Sequence, residues 1–201
     1  MKHLLNPDFE DGTAHWELQP AEPGGIVAGK QPGYGALEGR YPWDQLCGHT
    51  FLVVKRSATK PNRFSQPIKD LQPGRLYSLK MITADHQEIA RGASKRALHA
   101  VSIRLEGVEP RTGPQEAFSC PFHSAVAVGK FTEQNQLWMN YHWGVFRATS
   151  SAARLTVTDW KSDSEPGEPA GQELVFNFLE LQPYLAETEK PMALLLIGTN
   201  R

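Results

Sequence analysis

Histidine, cysteine and carboxylate are the side chains here that could act as acid, base, nucleophile or metal ligand, and their spacing decides which of these chemistries is open. Cys47-Gly48-His49 and Cys120-Pro121-Phe122-His123 would bring two thiolates and two imidazoles together if their strands were neighbours, a possible Zn²⁺ ligand set. The C-x-H plus C-x₂-H spacing matches no standard finger. A Cys47–Cys120 disulfide needs close Cα atoms, and two buried thiols without a bridge are the simpler reading. His99, His123, His142 and Asp159 are the acid–base candidates, but nothing in their spacing pairs them. The chain contains no G-x-S-x-G, no phosphate-cradling glycine loop and no H-E-x-x-H. The residues therefore point away from an enzyme.

Aromatic residues offer a different chemistry, that of flat apolar faces. Tyr41-Pro42-Trp43 reads as a loop able to expose its two rings. In Leu137–Ala148 a period of two sends Trp138, Asn140, His142 and Phe146 one way and Met139, Tyr141, Trp143 and Val145 the other. If Trp138 and Phe146 are core, Tyr141 and Trp143 face away from it as an i, i+2 pair. The alternative is that Tyr141 and Trp143 fill the interior and His142 lies outside.

Elements that could hold these residues are mostly strands. The 201 residues fit one sizeable β domain, and 17 glycines with 15 prolines indicate many turns. Strands are predicted near Leu46–Val54, on both sides of the turn at Pro73-Gly74, and at Ala97–Glu106, Ala117–Lys130, Leu137–Ala148, Ala153–Trp160 and Glu173–Tyr184. Proline at the first corner and glycine at the second fit a type II turn. About ten strands suit two packed sheets, and His86–Arg96 is either a short helix or a long connection. A net charge of -1 gives no electrostatic footprint for nucleic acid or an anionic membrane surface. Met1–Leu5 has no leader pattern, and Met192–Gly198 is too short to span a bilayer.

Four motifs, in order, resemble the carbohydrate-binding modules of the galactose-binding-like type. They are N-x-x-F-E-x-G at Asn6–Gly12 with Trp16 after it, Q-x-I-x-x-L-x-P-G-x-x-Y at Gln66–Tyr77, a Trp-led strand closing in F-x-A at Phe146–Ala148 before L-x-V, and V-F-N-F-L-E-L at Val175–Leu181. The resemblance implies an all-β jelly-roll sandwich of two antiparallel sheets over residues 1–186, with Gln66–Tyr77 in a central hairpin and Phe9 and Trp16 in the core. It further implies non-catalytic binding of an oligo- or polysaccharide, in an extracellular or cell-surface setting. Sugar rings present C–H patches that stack on exposed aromatics, so Tyr41, Trp43, Tyr141 and Trp143 are the candidate contacts. Similar modules hold a structural Ca²⁺, whose ligands map to Glu10 and Asn177; an amide at the second position removes a charge from the site. A jelly-roll interaction domain without a sugar site is the alternative function.

Residues 187–201 form a tail in which Met192–Ile197 is an unbroken apolar run. Such a run should be covered, either by its own sheet or by a second copy or partner chain, and the second is expected because the resemblance closes near Tyr184.

Overall fold

The computed structural model describes residues 3–40, 47–110, 117–124 and 126–184, with only the backbone of 117–120. In chain order the elements are β1 (Glu17–Gln19), β2 (Ile26–Lys30), α1 (Tyr34–Leu37), β3 (Thr50–Lys55), β4 (Arg63–Ile68), β5 (Leu76–Asp85), α2 (His86–Arg91), β6 (Ser102–Glu106), β7 (Val108–Pro110), β8 (Ala117–His123), β9 (Trp138–Ala148), β10 (Ala153–Thr158) and β11 (Glu173–Pro183). Two antiparallel sheets form a jelly-roll sandwich. The smaller runs β1-β4-β10-β6 and the larger β2-β3-β11-β5-β9, with β7 and β8 both paired to β9.

Period-two patterning builds the core between the sheets. Phe64, Leu155 and Val157 from the smaller sheet meet Leu79, Met81, Phe146 and Phe176 from the larger, all nearly solvent-free. Phe9 and Trp16 are buried there too, their ring centroids 5.4 Å apart. Asn6 adopts a left-handed backbone, and its side chain donates to the carbonyls of Gly12 and Ala14 and accepts from Asp11 N–H. Trp16 Nε1 then donates to the carbonyl of Asn6. The opening motif is thus a self-bonded loop that pins two aromatics into the core.

Gly74 has φ +82°, and Arg75 N–H donates to the carbonyl of Gln72, as a type II turn requires. The strands beside this turn are not a paired hairpin, however: β4 lies in the smaller sheet and β5 in the larger. The connection crosses the end of the sandwich because Leu71, only 3% exposed, plugs the main core there. Tyr77 marks the far side, its hydroxyl accepting from Gln72 N–H at 2.9 Å.

His86–Arg91 is a helical turn capped by Asp85, whose side chain accepts from Glu88 N–H. Ala97–Glu106 is extended only from Ser102. Its first residues are held instead by side chains, since Asn140 bonds Ala97 O and His99 N–H, and Arg56 donates to Ala100 O. A second apolar cluster covers one end of the larger sheet's outer face, where Tyr34 and Leu37 of α1 pack on Phe51, Val53, Ile82 and Met139.

Candidate functional site

Three of the four acid–base candidates are committed to structure, and the fourth, His123, is exposed with its ring edge-on to Trp138. Thr83 Oγ1 shares hydrogen bonds of 2.9 Å with both His99 Nδ1 and His142 Nε2, between the sheets. Burial lowers the His99 pKa to about 4 and that of His142 to about 3, so both rings are neutral at physiological pH. Asp159 accepts from Asn62 through both carboxylate oxygens, and burial still holds its carboxyl above the usual range. Arg56 completes this network by donating to the backbone carbonyl of Asp159 and to Gln172 Oε1. These groups tie loops to the sandwich interior.

Strand register decides what the outer face of the larger sheet presents. On β9, Phe146 and His142 face the smaller sheet, and Met139, Tyr141, Trp143 and Val145 face outward. Lys80 is opposite both Glu180 on β11 and Trp143 on β9, so Glu180, Lys80 and Trp143 form one row across three strands. At about 4.8 Å per strand that row spans roughly 10 Å, the scale of a disaccharide. Lys80 Nζ lies 3.3 Å from Glu180 Oε2, with 24% and 41% of the two side chains exposed. Trp143 is half-buried beside them, and Tyr184 brings its ring to 6.0 Å from the indole. The row therefore joins an aromatic surface to a hydrated ion pair.

Tyr141 is also half-buried, but one row along it packs against the second apolar cluster beside Ile82. Tyr41 and Trp43 lie outside the described residues. The described residues on either side of them are fixed near the same face: Arg40 lies 3.8 Å over the Phe178 ring and pairs with Asp8 at 2.7 Å, while Gly48 N–H donates to Glu10 Oε1. Phe178 sits at the irregularity where β11 slips against β5, between Asn177 and Glu180. A cleft of about 420 Å³ runs from Asp8 and Arg40 past Phe178 to Glu180, joining Arg40 to the row. Lys80, Glu180 and Tyr184 were missed by sequence reasoning. The signal was a lysine inside an otherwise apolar strand, but its neighbours follow from register alone.

The mapped calcium ligands already have partners. Asn177 is fully buried, its Nδ2 donating to Thr50 O at 2.6 Å and its Oδ1 accepting from Phe178 N–H. Glu10 Oε1 accepts from Gly48 N–H at 2.7 Å. Calcium needs six to eight oxygens, and among the described residues no group of three or more His, Cys, Asp or Glu is placed to hold a metal. As placed, these two side chains do not fit a calcium cage. Cys47 is half-buried, His49 Nδ1 accepts from Gly33 N–H, and the side chain of Cys120 lies outside the described residues.

No family model matches the chain. No curated protein matches it either. Among solved structures it is similar to TmCBM61 in complex with β-1,4-galactotriose, at 13% identity and a TM-score of 0.46 over 92% of this chain and 99% of that one. It is also similar to a putative sugar binding protein from Bacteroides thetaiotaomicron VPI-5482, at 10% identity and a TM-score of 0.46 over 92% and 100%. A third likeness is to the enzymatically active domain of bacteriophage CBA120 tailspike protein 4, at 10% identity and a TM-score of 0.48, where the match covers 91% of this chain and 21% of the tailspike chain.

Proposed function

We propose that this domain is a non-catalytic carbohydrate-binding module whose ligand lies on the outer face of the larger sheet. The observation that carries the reading is the row Trp143–Lys80–Glu180, with Tyr184 beside the indole. Trp143 offers a face for the C–H patch of a sugar ring, and Lys80 and Glu180 offer a donor and acceptors for its hydroxyls. Because the two charges neutralise each other at 3.3 Å, the row favours an uncharged glycan. Tyr41 and Trp43, which follow Arg40 in the sequence, are further candidate contacts, and Tyr141 supports the site from the adjoining row.

A module of this kind would serve an extracellular or cell-surface polysaccharide-processing system by holding substrate rather than cutting it. His99, His142 and Asp159, bonded into the interior, support the non-catalytic reading. The test is affinity electrophoresis through gels cast with neutral polysaccharides. Wild type should be retarded by at least one polysaccharide, and Trp143→Ala should migrate freely through it with an unchanged melting temperature. No retardation across a broad panel would remove the reading.

A further inference from the structure

At the open side of the sandwich, between the edge strand β6 and the strands β7 and β9, lies a groove of about 610 Å³. Its origin is one residue. Gly144 occupies an inward-facing position on β9 between His142 and Phe146, and a Cβ added there would meet no atom within 4 Å. A glycine inside a strand marks a place where another backbone or a ligand approaches closely. The walls are aliphatic: Val101, Ile103, Leu105 and Val108 pack against the main core yet remain half-exposed, where inner residues of an edge strand are usually covered. Because β6 is outermost in its sheet among the described residues, one row of its backbone hydrogen-bonding groups faces this mouth.

We propose that this groove seats the chain's own apolar run, Met192–Ile197, laid as an extended segment along β6 with alternate side chains over Gly144. Three observations converge on that occupant. The chain leaves the described residues at Tyr184, whose N–H donates to Leu76 O at the end of the larger sheet. At about 3.4 Å per residue the spacer 185–191 reaches roughly 24 Å, the scale of the path around the sheet edge. The run is six consecutive apolar residues and the groove is lined mainly by apolar side chains, with Ser102, Arg104 and His142 among them, so each covers apolar surface that the other would leave in water. A short tether presents the run at an effective concentration on the order of millimolar, which favours this chain's own segment over a second copy.

Hydrogen exchange on the full chain tests the proposal, with Gly144→Leu as the probe, since a side chain there enters open space and fills the seat. In wild type the amides of 192–197 should exchange at least ten-fold more slowly than in an unstructured peptide, independently of protein concentration. In Gly144→Leu that protection should disappear while the melting temperature is maintained. If Gly144→Leu does not fold, the full chain carrying Leu194→Asp and Leu196→Asp should show faster exchange in β6 and increased fluorescence of an anilinonaphthalene sulfonate dye in the vacated groove. The proposal is overturned by unprotected 192–197 amides in wild type, by protection that survives Gly144→Leu, or by protection lost on dilution together with a dimer in light scattering. A double variant with unchanged β6 exchange and dye fluorescence overturns it as well.

Discussion

Gln66 pairs with Leu5 as though its side chain were a strand residue: Oε1 accepts from Leu5 N–H at 3.0 Å and Nε2 donates to Leu5 O at 3.1 Å. The glutamine that opens the Q-x-I-x-x-L-x-P-G-x-x-Y motif thus fastens the N-terminal segment to β4. Replacing it by alanine removes both bonds and leaves part-buried backbone groups unsatisfied, so Gln66→Ala should cost about 2–3 kcal/mol. Urea denaturation checks this, and an unchanged midpoint would mean that the segment is held by other contacts.

The two interior histidines set an acid limit. Their folded pKa values, about 4 for His99 and about 3 for His142, lie below the ordinary 6.5. The unfolded chain therefore binds the extra protons as pH falls below 6.5. Their neutral forms contribute stability that is complete above pH 6.5 and is lost progressively on acidification through about pH 4 and 3. The loss at full protonation is on the order of 3 kcal/mol for His99 and about 5 kcal/mol for His142. Denaturation midpoints that fall less steeply from pH 6.5 to 4 in His142→Asn than in wild type, the remaining slope belonging to His99, would match this account; parallel curves would not.

Glu38 behaves in the opposite sense. Its side chain is buried against the Tyr34 hydroxyl, with Oε2 3.5 Å from Arg40. Burial raises its pKa from 4.5 to about 8, against the pull of Arg40. The folded state therefore holds a proton that the unfolded state has released, and the associated stability is full below pH 4.5 and lost as pH rises through about 8. Glu38→Gln should flatten the decline between pH 6.5 and 8 and be more stable than wild type at pH 8. A variant with the same slope as wild type would place the titrating group elsewhere.

The two-sheet sandwich was legible because alternation marks strands and four motifs kept their order. Partnership was not. Gln66–Tyr77 reads as a hairpin, yet Leu71 sends β4 and β5 into opposite sheets, and only three-dimensional packing decides that. Trp143 and Tyr141 share one face by period two, as expected, but the sequence could not tell that α1 and its cluster cover the Tyr141 end while Lys80 and Glu180 border Trp143. The break in Ala97–Glu106 was hidden for a similar reason, since the groups that hold it, Asn140 and Arg56, are remote in the chain.

Calcium gives a simple test. Asn177 Oδ1 is turned to Phe178 N–H and Glu10 caps Gly48, so a chelator should leave the melting temperature within about a degree of its untreated value. A drop on adding EDTA, reversed by Ca²⁺ and absent in Glu10→Gln, would require a metal that reorganises both side chains.

Amide and side-chain NMR during titration with the best-retarded oligosaccharide tests the central claim most directly. The outer-face row should respond: perturbations should centre on the Trp143 indole N–H, Lys80, Glu180 and Tyr184, saturate together, and vanish in Trp143→Ala. Saturable shifts confined to the smaller sheet or to the β6 groove, with the Trp143 indole unmoved, would contradict it.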